Sequence, residues 1–159
     1  MIRTFAHDDM EAVLDIWLRA SVRAHDFVPP DLWQDQLEAM RTQYLPAADV
    51  HVFEYAATVA GFCALVEDRL AALFVAPERQ GQGIGTALLR HAQQRRSSLE
   101  LSVYVSNALS IAFYRSHGFS IVGHTVDAAT GQDEYTMRWM PPEASRQATP
   151  AAAPFDSTR

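Results

Sequence analysis

Residues 70–86 constrain this chain more than any other stretch. A short apolar run is closed by Ala76-Pro77, followed by Gln80-Gly81-Gln82-Gly83-Ile84-Gly85-Thr86 and then an amphipathic segment. Strand, glycine loop and helix in that order leave few folds open. The helix carries Ile84, Ala87, Leu88, His91 and Ala92 on one side, so it must cover a sheet. The next apolar run, 99–105, returns to that sheet. Such a crossover makes the strands 70–75 and 99–105 a parallel pair.

The loop also has a chemistry. Glycines at 81, 83 and 85 let main-chain amides approach a ligand with no side chain between them. The unpaired amides of the helix's first turn and the positive end of its dipole favour an anion, so a phosphate-bearing ligand is expected. A dinucleotide fingerprint needs glycines at the first, third and sixth positions. Here the sixth is Thr86 or Leu88, depending on the start. A nucleoside-triphosphate loop and Schiff-base chemistry both need lysine, and all thirteen basic side chains are arginine.

Around this unit the periodicities alternate. A strand at 2–5 precedes Asp8 and Glu11, which read as a capping box for a helix running to about Ala24. Val13, Leu14, Trp17, Leu18 and Ser21 form its buried face. Val28-Pro29-Pro30 breaks it, and a second helix at 31–44 uses Leu32, Trp33, Leu37 and Met40 before stopping at Pro46. The runs 50–55 and 59–66 read as a hairpin whose second strand is nearly all apolar and central. A helix at 107–117 and strands at 119–126 and 134–140 complete the pattern. The expected architecture is one α/β domain over residues 1–140. It has a mixed, mostly antiparallel, twisted sheet of six or seven strands with helices on both faces. From Pro141 the composition turns to Pro, Ala, Ser and Thr, which predicts a mobile tail at 141–159 with Phe155 as its single apolar anchor.

Bulk properties narrow the partners. The chain has 159 residues, formal net charge −6, and no basic run denser than Arg95-Arg96, so nucleic acid is not the expected partner. No apolar run approaches the ~20 residues of a membrane span, and the acidic amino terminus has no secretory h-region. Cys63 is the single cysteine. A cytoplasmic location is therefore the default, with Cys63 a buried core residue rather than a nucleophile. The histidines at 51, 91, 117 and 124 have no metal-ligand spacing, and no metal is expected.

Gln80, Gly83 and Gly85 meet the form Gln-x-x-Gly-x-Gly after a strand ending Val75-Ala76-Pro77, and this resembles the GNAT superfamily of N-acetyltransferases. The stretch Asn107-Ala108-Leu109-Ser110-Ile111-Ala112-Phe113-Tyr114-Arg115-Ser116-His117-Gly118-Phe119 is similar to the superfamily's second signature. By itself it also reads as a helix capped by Asn107, ended by Gly118 and packed through Tyr114. Asn107 and Tyr114, seven residues apart, share a helix face with a rise of about 10 Å between them. The resemblance implies that acetyl-coenzyme A is the co-substrate. Its pyrophosphate would rest on Gln80, Gly81, Gln82, Gly83, Ile84, Gly85 and Thr86, and its pantetheine on the backbone of Leu73, Phe74 and Val75. Asn107 would hold the arm and Tyr114 would reach the sulfur.

Acetyl transfer to an amine needs a neutral amine, an oxyanion donor and an acid for the departing thiolate. The amide near Phe74–Val75 and the Tyr114 phenol are the candidates for the last two. For the base, the strand 70–75 carries no acid. His25, in Ala24-His25-Asp26-Phe27 between the first two helices, is one candidate, a water chain another, and an exposed helix-end histidine without a role the third reading. His25 and Phe27 would shape the acceptor pocket. Ala24–Phe27 and Tyr44-Leu45-Pro46 are similar to small bacterial acetyltransferases acting on protein lysines. Acids at 26, 31, 35 and 38 would attract a cationic acceptor or simply form a solvated face. The expected activity is N-acetyl transfer to a protein lysine or small amine, by a monomer or homodimer. The alternatives are an aminoacyl-tRNA-acetylating toxin, disfavoured by the acidic charge, and a non-catalytic acyl-CoA-binding regulatory module.

Overall fold

A computed structural model of the chain describes residues 1–142, so the tail expected at 141–159 lies, from residue 143 on, outside the described residues. Seven strands form one sheet: Ile2–Thr4 (β1), Asp49–Tyr55 (β2), Thr58–Val66 (β3), Arg69–Val75 (β4), Leu99–Tyr104 (β5), Ser120–Val126 (β6) and Asp133–Trp139 (β7). Their order is β1-β2-β3-β4-β5-β7-β6, antiparallel throughout except between β4 and β5. The longer helices are Met10–Ala24 (α1), Pro30–Asp35 (α2), Ile84–Arg95 (α3) and Ala108–Ser116 (α4).

β3 is apolar because it is buried on both faces. Phe62 and Ala64 enter a core built with α1 and α2, while Cys63 and Leu65 enter a second core with α3 and β5. Side chains of a strand alternate sides, so a central strand covered twice has no position left for a polar residue. Burial pushes the Cys63 thiol up to about 12, as befits a core residue and not a nucleophile.

Two helix boundaries differ from the sequence reading. Asp8 does not start α1; a single 3-10 turn, His7–Asp9, comes first, and Asp9 does the capping. Its Oδ2 accepts the Ala6 N–H at 2.8 Å and a 2.8 Å bond from Arg3, which holds the Asp9 carboxyl below its usual range. The second helix is not continuous over 31–44. It divides into α2, a turn at Leu37–Ala39, a π-turn at Met40–Tyr44 and a last turn at Leu45–Ala47. Pro46 lies inside that last turn rather than beyond it. Lacking an N–H, it cannot continue an ordinary helix, and the preceding turn widens so that the Leu45 N–H reaches the Met40 carbonyl.

The parallel pair is brief. β4 and β5 are in register only at Arg69 and Glu100, after which they part. A bulge in β4 accompanies the separation: Ala64 faces Ala72 and Leu65 faces Leu70, leaving Ala71 unpaired. On the other side of β4, α3 packs tightly over Gly61 of β3. A Cβ there would stand 2.9 Å from the Phe74 carbonyl oxygen and 3.2 Å from both Ile84 and Leu88. Gly61→Ala should therefore lower stability by about 1–3 kcal/mol with secondary structure retained, measured by urea unfolding followed by circular dichroism.

Candidate active site

The parting of β4 and β5 opens a cleft of about 770 Å³ lined by both strands, the end of α1, the glycine loop and α4. Among the described residues, the β4 edge facing it carries no strand pairing beyond Arg69. Main-chain donors and acceptors on that edge are left for whatever enters. Gln80 fastens the floor of the loop to the end of β4, donating from Nε2 to the Val75 carbonyl at 3.2 Å.

Gly81 and Gly83 have φ of +79° and +86°, and a Cβ at either would meet nothing within 4 Å. Their requirement is conformational, not steric. Gly83 caps α3 with no side-chain hydrogen bond, so the first-turn amides keep their donors free of side-chain partners. Gly85 differs from the sequence reading: a methyl there would make ordinary 3.7 Å contacts with Val75 and Phe113. The structure brings Leu73, Phe74, Val75, Gln80, Gly81, Gly85, Asn107 and Tyr114 onto the cleft wall. Gln82, Gly83 and Thr86 stand outside that lining, and Ile84 is buried in the core under α3, leaving it only its main chain to offer.

Asn107 caps its helix as expected, and it also lines the cleft. Its Oδ1 accepts the Ser110 N–H at 3.2 Å as the cap of α4, and its Nδ2 lies 3.4 Å from His25 Nε2 while the residue lines the cleft. Seven residues on, Tyr114 packs edge-on against Phe113 and Phe119. Its hydroxyl has no hydrogen-bond partner among the described residues. Burial raises the Tyr114 pKa, so the phenol keeps its proton across the neutral range.

His25 is not an exposed helix-end residue. It is 9% exposed, boxed by Phe27, Trp33 and Tyr104, with ring centroids 5.7, 5.2 and 5.1 Å away. Burial lowers its pKa, favouring the neutral ring, and its Nδ1 finds no partner among the described residues. Phe27 is not on the cleft wall; it stacks edge-on against His25 and Tyr104. Sequence reasoning passed over three residues that do line the cleft, Trp33, Tyr104 and Glu134. The alternation of 99–105 places Tyr104 opposite Leu101 and Val103 and could have marked it. Nothing local marks Glu134, which arrives through its pairing with Tyr104. The acids at 26, 31, 35 and 38 are exposed and do not line the cleft.

Residues 46–121 match the family described as Acetyltransferase (GNAT) domain. The chain is 36% identical over 140 residues to peptidyl-lysine N-acetyltransferase YiaC of Escherichia coli K12, covering 87% of this chain and 96% of the relative. Against peptidyl-lysine N-acetyltransferase YjaB of Salmonella typhimurium LT2 it is 32% identical over 126 residues, 78% of this chain and 86% of that protein. The solution structure of apo YjaB from Escherichia coli superposes with a TM-score of 0.77 at 27% identity, covering 87% of this chain and 96% of that one. YncA of Salmonella typhimurium, solved with its cofactor acetyl-CoA, shares the fold at a TM-score of 0.64 and 21% identity over 88% of this chain and 92% of that one.

His25 titration adds a pH dependence to stability. Its folded pKa lies below the unfolded value, so the unfolded chain binds that proton more readily. The stability attached to the neutral ring is complete above about pH 6.5 and drains as pH falls. Denaturant unfolding from pH 8 to pH 5 should show a loss approaching about 1.4 kcal/mol per pH unit for each such proton. His25→Gln should make the profile shallower, leaving the share of His91, which burial shifts the same way.

Proposed function

This chain belongs to the GNAT acetyltransferase family and moves an acetyl group from acetyl-CoA to an amine, and we propose that the amine is a lysine side chain of a protein. The observation that carries this reading is the likeness to YiaC, which extends over nearly the whole of that peptidyl-lysine acetyltransferase. We read the protein as cytoplasmic, acting as a monomer or homodimer without nucleic acid. Among the described residues, no helix is long and apolar enough to cross a membrane.

In this reading the main-chain N–H groups of residues 81–86 receive the pyrophosphate, with Gln80 bracing the loop. The pantetheine lies along Leu73, Phe74 and Val75 as an added strand on the open edge of β4. Asn107 holds the arm. The thioester carbonyl then sits where the main-chain amide near Phe74–Val75 can donate to the developing oxyanion. The neutral amine attacks that carbon, the carbon–sulfur bond breaks, and the Tyr114 hydroxyl donates to the departing sulfur. A phenol is protonated at neutral pH, and desolvation raises its pKa further, so it yields its proton only as charge builds on sulfur. The same burial makes His25 a poor base. We therefore assign His25 to holding Asn107 in place and route the amine's proton to water.

The unpaired Tyr114 hydroxyl on the cleft wall favours catalysis over a non-catalytic acyl-CoA-binding role. Thiol release from acetyl-CoA with lysine peptides, small polyamines and peptides bearing only an α-amine tests the acceptor; faster release with lysine peptides is the expected result. Because the chain has no lysine, no lysine acetylation in such an assay can come from the enzyme itself. Tyr114→Phe should lower turnover well over tenfold and leave acetyl-CoA affinity nearly unchanged. Gly83→Val should abolish acetyl-CoA binding in calorimetry while the fold persists. A β-branched residue cannot hold a φ of +86° without reshaping the loop, although nothing blocks its Cβ.

A further inference from the structure

Within the acetyltransferase reading, on which this inference rests, one charged group in the cleft has no work assigned to it. Glu134 sits on β7 directly opposite Tyr104 of β5, so the two side chains share the face of the sheet that α1 covers. Both line the cleft. Among the described residues, Glu134 makes no hydrogen bond and has no cation within ion-pairing distance. The carboxylates and guanidiniums around it are already engaged. Asp127 accepts the Tyr104 hydroxyl at 2.6 Å and the Thr130 hydroxyl at 3.0 Å. Arg69 donates to Ser102 at 2.6 Å and leans on Glu100 at 4.0 Å. Arg23, the one other charged residue on the wall, belongs to the exposed end of α1. His25 stays neutral, so no positive charge of its own repels a cation from this end of the cleft.

A partly buried carboxylate without a partner is costly, and a cation from outside would relieve it. Desolvation and the neighbouring Asp127 raise the Glu134 pKa against the pull of Arg69, so a positive charge placed beside the carboxylate would favour its ionised form. Beside it the Tyr104 ring, itself packed on His25 and Phe27, offers an apolar and π-bearing wall to an aliphatic stem. We propose that Glu134 is the specificity-determining counter-ion for the acceptor, meeting the lysine ammonium while the Tyr104 ring flanks its methylene chain. The acceptor is thereby selected as a cation before it is deprotonated for attack.

Steady-state kinetics of Glu134→Gln with two acceptors decides the matter: a lysine peptide, charged at the assay pH, and hydroxylamine, neutral there, each rate corrected for the uncatalysed attack on acetyl-CoA measured without enzyme. The expected result is a KM for the lysine peptide raised tenfold or more, with kcat changed less than about threefold. KM for hydroxylamine and the calorimetric affinity for acetyl-CoA should stay at wild-type values, and Glu134→Asp should recover part of the loss. An unchanged KM for the lysine peptide overturns the proposal, and so does an equal loss on both acceptors, which would mean structural damage. If the wild-type enzyme instead acetylates polyamines or α-amines and no lysine peptide, the lysine reading falls. The comparison of those cationic amines with hydroxylamine then still decides the role of Glu134.

Discussion

Everything that matters in this molecule follows from two parallel strands that stop hydrogen-bonding after one position. β4 and β5 meet at Arg69 and Glu100 and then separate, which strands a row of peptide groups along β4. Peptide groups left unpaired away from water are expensive, so a fold that keeps them holds them for something that pairs with them. An extended amide-bearing arm is the natural partner, because it can take the place of the missing strand. The bulge at Ala71 and the tight seat of α3 over Gly61 brace β4 from its other side, so the edge stays open without collapsing.

The two cores divide the labour. The core under α3 combines aliphatic side chains with Phe119 and the half-buried Phe113 and Tyr114, and carries the glycine loop at the helix's leading end, the positive end of its dipole. The core under α1 and α2 is rich in rings. His25, Phe27, Trp33 and Tyr104 pack in one cluster, edge to face except for the tilted His25–Trp33 pair, and all but Phe27 line the cleft. In the proposed reading, phosphate is held at the leading end of α3 and the amine beside the ring cluster, with the thioester between them. The electrostatics agree with this division. The leading end of α3 offers the positive end of its dipole, and the opposite end carries a carboxylate without an ion-pair partner among the described residues and a histidine whose neutral form burial favours.

Legibility in the sequence tracked the range of the interaction. Strand runs, the glycine loop, the crossover and the Asn107–Tyr114 face depend on neighbours a few residues away, and all of these stand where periodicity and spacing put them. Errors came where a distant residue decided. Asp9 rather than Asp8 turns its carboxylate to the Ala6 N–H ahead of α1, where Arg3, brought alongside, also binds it. The helix expected at 31–44 divides into turns, and its last stretch widens into a π-turn ahead of Pro46, which lies inside the final turn. His25 looks like a surface residue in its own segment and is buried only because Trp33 and Tyr104 close over it.

The sequence by itself determined the fold class, the ligand class and the absence of any lysine, since composition and local backbone geometry need no tertiary partner to be read. The three-dimensional structure decided how far β4 and β5 stay together, what a side chain at Gly85 would touch, and that Glu134 reaches the cleft beside Tyr104. Those depend on register between strands remote in the chain, where a shift of one residue turns every side chain to the other face. Glu134 and Tyr104 are strangers along the polypeptide and neighbours only once β5 and β7 pair.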